Sequence, residues 1–297
     1  MKIEIARHYG MCFGVRDALR KTHDLAEQKP VTVLGELVHN PVVQEHLEAM
    51  GAKRGSLEAP ESAETSAVVI TAHGASDARR KEWRERGHEV FDTTCPLVKK
   101  AHRALECLVL AGYFPVVIGR RDHVEVRGLV GDFPNAVVVL DEADFDSLPS
   151  DLRRIGVVAQ TTQPVDRVAG LVERLRGRRP DAEIRHVDTV CQPTKDRQTA
   201  LVDLCRRNEV IIVVGGRNSN NTAQLVATAR SLGCRTWQVE RAAELRSEWF
   251  QNGEQVGVTA GTSTLDETVH EVAERLRIIA REMKQRGLLG MLKAAGG

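Results

Sequence analysis

The sequence predicts an α/β protein made of three pseudo-symmetric units, each with a small, mostly parallel sheet. Three observations predict it. Short β-branched runs alternate with helical patterns along the chain. Three cysteines, Cys12, Cys95 and Cys191, each close a strand-like segment and open a helical stripe. A polar residue follows each at nearly constant spacing: His39, His123 and Ser219 stand 27, 28 and 28 residues further on.

In chain order, the buried-strand candidates are residues 31–34, 67–71, 116–119, 155–159, 210–214 and 256–259, all short runs rich in Val and Ile. The segments that lead into the cysteines read Ile3-Glu4-Ile5-Ala6, Glu89-Val90-Phe91-Asp92 and Ile184-Arg185-His186-Val187-Asp188. After the cysteines, apolar residues fall on one helical stripe: Val15, Ala18, Leu19, Thr22 and Leu25, then Leu97, Ala101, Leu105 and Leu108, then Ala200, Leu201, Leu204 and Cys205. The next strand ends in a glycine, Gly35, Gly119 or Gly215, four residues before the polar group. A second strand ends in a small-polar turn, and His73, Thr161 and Ser263 mark that turn in the three units. They lie 61, 66 and 72 residues after their cysteines, a drift that loop insertions produce. The expected units are therefore 13–95, 96–190 and 191–285, with strand 1–12 joining the third and a C-terminal tail over 286–297.

Composition narrows the function. The chain has 297 residues, 42% of them hydrophobic, which is enough apolar material for more than one core. Lys and Arg number 42 against 41 Asp and Glu, so no long-range field gathers nucleic acid or anionic lipid. Any anion must be held by local groups. Residues 1–10 carry Glu4 and Arg7 and lack the pattern of a secretory signal, so the expected location is the cytosol. The most apolar stretch, 108–118, is broken by Gly112 and Pro115 and is shorter than the ~20 residues that span a bilayer. In a reducing compartment the six cysteines are core filler, reactive thiols or metal ligands rather than a disulfide framework.

In parallel α/β sheets, ligands bind beyond the carboxyl ends of the strands. Every residue singled out above sits there. Three units about a pseudo-three-fold axis would bring Cys12, Cys95 and Cys191 together, ringed by the polar turns. Three thiolates leave one position open on either a cubane iron-sulfur cluster or a zinc ion, and the residues alone do not choose. Cys107 and Cys205 lie in helical stripes and Cys234 in a loop, so they take no part. His39, His73, His123, Ser219, Asn221 and Ser263 are rich in donors and poor in carboxylate, which suits phosphate oxygens. Glu125 is the one carboxylate two residues beyond a ring histidine. Beside a bound anion it would hold a proton and act as a general acid.

Seven motifs in order, Gly10-Met11-Cys12-Phe13-Gly14-Val15, Val38-His39-Asn40, Ala72-His73-Gly74, Thr94-Cys95-Pro96-Leu97-Val98, Gln160-Thr161-Thr162, Asn218-Ser219-Asn220-Asn221 and Thr259-Ala260-Gly261-Thr262-Ser263, carry a resemblance. The chain resembles the 4-hydroxy-3-methylbut-2-enyl diphosphate reductases of the non-mevalonate isoprenoid pathway, from residue 1 to about residue 280. That resemblance implies a 4Fe-4S cluster on Cys12, Cys95 and Cys191 at the centre of the three units. It implies diphosphate contacts from His39, His73, His123, Ser219, Asn220, Asn221 and Ser263, with Glu125 and Thr161 relaying protons and Gln160 lining the pocket. It implies two electrons from a ferredoxin or flavodoxin, loss of water, and isopentenyl and dimethylallyl diphosphates as products. The sequence departs from the usual pattern at Val124, Arg127, Leu129, Asn220 and Leu265, and over Gln192-Pro193-Thr194-Lys195-Asp196-Arg197. None of these removes a proposed ligand or acid; pocket shape and product ratio are where they bear.

Overall fold

The computed structural model describes residues 1–295, with side chains described as far as Arg286. The first stretch of chain forms β1 (Lys2–Ile5), α1 (Phe13–Ala26), β2 (Val31–Leu34), α2 (Pro41–Ala49), β3 (Lys53–Gly55), β4 (Ala67–Ile70), α3 (Asp77–Glu85) and β5 (Glu89–Asp92). The middle stretch forms α4 (Pro96–Leu110), β6 (Phe114–Ile118), α5 (Val124–Val130), β7 (Val137–Val139), β8 (Arg154–Ala159), α6 (Val165–Arg178) and β9 (Glu183–His186). The last forms α7 (Gln192–Cys205), β10 (Val210–Val214), α8 (Asn220–Ser231), β11 (Arg235–Val239), β12 (Gln255–Ala260) and α9 (Asp266–Ala295).

The strands form three small parallel sheets with one topology: β3-β2-β4-β5, β7-β6-β8-β9 and β11-β10-β12-β1. In each, two central strands of four to six residues are almost wholly buried, as in Val-Thr-Val-Leu of β2, Ala-Val-Val-Ile of β4 and Val-Ile-Ile-Val-Val of β10. Burial on both faces is why these runs are continuously apolar rather than alternating. The fourth strand of each sheet leads directly to a cysteine. For the third sheet that strand is β1, which pairs with β12 (Ile3 opposite Val256).

The chain divides into two compact units. One comprises Met1–Cys12, His39–Pro41 and the residues from Asp196 on, and holds the sheet β11-β10-β12-β1. Its cores are Val210, Ile212, Val256, Val258, Val272 and Leu276 on one face of that sheet and Leu201, Leu204, Ile211 and Leu225 on the other. The second unit, Phe13–Val38 and Val42–Lys195, holds the other two sheets. There α1 buries Gly14, Ala18, Thr22 and Leu25, and α4 buries Val98, Ala101, Leu105 and Leu108, one stripe each at helical spacing. Trp83 is fully buried against Leu34, Val68 and Ile70, and its indole Nε1 donates to Leu57 O at 3.1 Å. Trp83→Ala is expected to cost about 3–5 kcal/mol in a denaturant titration; a loss below about 1 kcal/mol would mean that this core repacks.

Two expectations change. Residues 286–295 continue α9 rather than forming an aperiodic tail, with Gly287 and Gly290 carried within the helix; Gly296 and Gly297 lie outside the described residues. Residues 39–41 belong with the third sheet, although they fall within the stretch 13–95. The cause is local: Asn40 Nδ2 donates to Ser263 O at 2.7 Å, and Ser263 Oγ donates to the carbonyl of His39 at 3.3 Å.

Candidate functional site

The repeat is written in hydrogen bonds. Gly35, Gly119 and Gly215 follow the first central strand of their sheets, and each donates its N–H across to the end of the neighbouring strand, to Gly55, Val139 and Val239, at 2.9 Å in all three. Four residues on come His39, His123 and Ser219. His123 and Ser219 cap the helices that follow: His123 Nδ1 accepts from Glu125 N at 3.1 Å, and Ser219 Oγ accepts from Thr222 N at 3.3 Å. A His123 whose Nδ1 accepts carries its proton on Nε2, which makes that nitrogen a donor toward an anion.

The cysteines are equivalent in the same way. Cys12 N donates to Thr262 O at 3.0 Å, Cys95 N to Ala72 O at 3.1 Å and Cys191 N to Thr161 O at 3.0 Å. Each acceptor stands two residues past the second central strand of its sheet. This register aligns Ala72, Thr161 and Thr262, so His73 matches Thr162 and Ser263, one residue out of step with the His73–Thr161–Ser263 alignment drawn from the sequence. None of the three cysteines is in a disulfide.

In the unit that holds two sheets lie Cys95, Cys191, His73, His123, Glu125, Gln160 and Thr161. Glu125 occupies the first turn of α5 and is 2% exposed. Its Oε1 accepts from Thr161 N at 2.6 Å, and its Oε2 lies 3.0 Å from Thr161 Oγ1. Burial pushes its pKa up to about 7 against the opposing pull of the two Thr161 hydrogen bonds. Because the amide occupies Oε1, the proton of the neutral acid belongs on Oε2, facing Thr161 Oγ1. The Thr161 carbonyl in turn accepts from the backbone N–H of Cys191, so one residue holds both the acid and the turn that carries the thiol. Cys191 Sγ also lies 3.1 Å from Thr194 Oγ1. The rings of His73 and His123 meet edge to face at 5.5 Å. Gln160 is fully buried, with its Oε1 accepting from Arg120 N (3.1 Å) and Gln163 Nε2 (3.0 Å) and its Nε2 donating to Thr162 Oγ1 (3.1 Å). These bonds fasten the two turns that carry His123 and Thr161.

The α1 helix starts against Cys95. A Cβ built on Gly14 would overlap Cys95 Sγ, so glycine keeps the space beside that thiol open. Val124, one of the departures from the usual pattern, is the first helical residue of α5, where the N–H has no intrahelical partner to lose.

The other unit holds Cys12, His39, Ser219, Asn220, Asn221 and Ser263. Asn221 Oδ1 accepts from Thr262 N at 3.0 Å, whereas its Nδ2 is buried without a hydrogen-bond partner. A buried orphan donor costs about 1–3 kcal/mol, an energy that an incoming ligand oxygen would recover. Two residues that sequence reasoning missed support the Cys12 loop. Buried Arg197 donates through Nη2 to the carbonyls of Gly10 and Tyr9, and Asp266 Oδ1 accepts from Met11 N at 3.3 Å.

The LytB protein family profile matches residues 3–277. The chain belongs to the LytB family. LytB relatives named 4-hydroxy-3-methylbut-2-enyl diphosphate reductase include one from Geobacter sulfurreducens, 38% identical over 93% of this chain and 97% of that protein. Another, from Dehalococcoides mccartyi, is 36% identical over 93% of this chain and 98% of its own length. Two solved structures of the same fold are similar. The E-1-hydroxy-2-methyl-but-2-enyl-4-diphosphate reductase of Plasmodium falciparum has a TM-score of 0.86 at 27% identity, over 92% of this chain and 87% of that one. The second, an (E)-4-hydroxy-3-methyl-but-2-enyl diphosphate reductase described as the terminal enzyme of the non-mevalonate pathway, has a TM-score of 0.67 at 33% identity, over 93% of this chain and 99% of that one. Among the described residues of this LytB chain, no helix is long and apolar enough to cross a membrane.

Proposed function

We propose that the chain is an oxidoreductase that converts 4-hydroxy-3-methylbut-2-enyl diphosphate into isopentenyl and dimethylallyl diphosphates, with a 4Fe-4S cluster held by Cys12, Cys95 and Cys191. The observation that carries the chemistry is Glu125: a buried carboxyl, neutral up to about pH 7 and backed by a hydroxyl, in a family of diphosphate reductases. The donor set fits the cluster, because thiolates suit iron-sulfur centres, the three cysteines occupy one repeated turn, and Gly14 leaves room beside Cys95 Sγ. When bound, such a cluster supplies one-electron steps and an iron with no protein ligand.

The protein's own groups supply binding and protons. The reaction consumes two electrons and two protons, one proton leaving with the hydroxyl as water and one ending on an allylic carbon. Glu125 Oε2 gives its proton to Thr161 Oγ1, whose own proton is passed on, and the carboxylate left behind is held by the two Thr161 donors. His39, His73, His123, Ser219, Asn220, Asn221 and Ser263 offer donors to the diphosphate, and Gln160 fixes the turns that carry His123 and Thr161. The electrons come from a small carrier of ferredoxin or flavodoxin type.

Anaerobically purified, iron-loaded protein should oxidise reduced viologen on addition of the hydroxymethylbutenyl diphosphate and form both products. Protein with a full cluster that consumes no viologen would rule the reading out. Asn221→Ala is expected to raise KM roughly 10- to 100-fold, the worth of about 1.5–3 kcal/mol for a bond to a charged acceptor. Asn221→Asp, which keeps the acceptor for Thr262 N but sets a charge against the anion, should raise it further. A KM unchanged in both would remove Asn221 from the diphosphate contacts. Gly14→Ala crowds Cys95 Sγ at an overpacking cost of about 1–3 kcal/mol. Its iron content after anaerobic reconstitution should fall well below that of the parent, and equal iron in both would show that the space beside Cys95 is not needed.

A further inference from the structure

Two of the cysteines with no part in the cluster proposal face one another. Cys205 is the last residue of α7, and Cys234 immediately precedes β11. Cys234 Sγ lies 3.7 Å from the carbonyl oxygen of Cys205 and 3.5 Å from that of Asn208, so its thiol sits over the end of α7. Backbone ties the two segments, Arg235 N donating to Glu209 O at 3.1 Å, and Cys234 N fixes its own turn to Ala229 O of α8 at 3.1 Å. Both side chains are half-buried at the rim of the core formed by Leu201, Leu204, Ile211 and Leu225. Cys107, by contrast, is exposed on α4.

We propose that Cys205 and Cys234 form a redox-active dithiol that closes to a disulfide at the expense of a low-molecular-weight disulfide. The thiolate of Cys234 attacks the small disulfide, forming a mixed disulfide and releasing one small thiol. The Cys205 sulfur then displaces the second small thiol as the Cys205–Cys234 bond forms. Two thiols are oxidised, one small disulfide is reduced to two small thiols, and the two protein protons leave with them. The order follows from the surroundings of Cys205. Its thiol is pushed up by burial and by the hydrogen bond and charge of Cys234, so it is the member of the pair that keeps its proton. Cys205 ends a helix of 14 residues whose first residue follows Cys191, so the pair stands roughly 20 Å along α7 from that thiol and can close with the cluster in place.

The test uses the anaerobic, iron-loaded enzyme with oxidised glutathione at pH 8, followed by alkylation and trypsin digestion without reduction. The expected product joins peptide 198–206 to peptide 231–235. It should exceed either glutathione adduct by on the order of tenfold, because the second step is intramolecular, and dithiothreitol should reverse it. Cys205→Ser should trap glutathione on Cys234, whereas Cys234→Ser should leave Cys205 to the alkylating agent. Recovery of both cysteines alkylated while Cys107 carries glutathione would overturn the proposal, as would stable adducts on Cys205 and Cys234 with no joined peptide.

Discussion

Glu125→Gln is expected to lower turnover by roughly 10²- to 10⁴-fold, the usual contribution of a general acid, with iron content unchanged. Glutamine keeps an acceptor for Thr161 N, so the fold around α5 has no reason to move. Stability provides a second readout. The folded protein prefers Glu125 neutral, so the stability tied to that proton is fully present below the unfolded value of 4.5 and is lost as pH rises through about 7. The glutamine variant has no such loss. Its stability relative to the parent should therefore rise across that window, by roughly 3 kcal/mol at about 1.4 kcal/mol per pH unit. The parent's turnover should hold level below about pH 7 and fall tenfold per unit above it as the proton is lost. A glutamine variant that turns over normally, or a stability difference that is flat with pH, would return Glu125 to a structural role.

Replacing any one of Cys12, Cys95 and Cys191 by serine should abolish both the iron signature and turnover. A hydroxyl is a poor substitute for a thiolate at an iron-sulfur centre. Cys107→Ser, at an exposed position on α4, serves as the control and should retain full iron and rate. The backbone N–H by which Cys191 binds Thr161 O survives the replacement, so circular dichroism and denaturation of the three apoproteins should match those of the parent apoprotein. Full iron in any one of the variants would remove that cysteine from the ligand set.

The sequence made the central strands plain because burial on both faces leaves no choice but continuous β-branched runs, as in β2 and β10. The short edge strand β3, Lys-Arg-Gly, has no such signature, since its side chains lie at the surface, where Lys53 and Arg54 pair with Glu64 and Glu36. Around Glu125 the pattern misleads. Val124-Glu125-Val126 alternates like a strand edge, and only the cap from His123 and the burial of Val126 and Leu129 make it a helix. The equivalence of the three cysteines was legible from spacing, but the turn opposite them was read one residue out of phase because loop insertions erase that offset. Arg197 and Asp266 carry no local signal at all: their partners at Gly10 and Met11 are 187 and 255 residues away in sequence.

The pairing of β1 with β12 has a consequence for biosynthesis. Residues 2–5 leave the ribosome first but have no sheet to join until residues 255–260 have been made. At 5–20 residues per second that is a wait of roughly ten to fifty seconds. The Cys12 loop depends on the same late segment, through Thr262 and Asp266. The other unit, with Cys95 and Cys191, is complete by Lys195 and can fold while synthesis continues. On the proposed ligand set, iron delivery to all three thiols would therefore be a post-translational event, and the first cysteine to be synthesised is the last to be set in place.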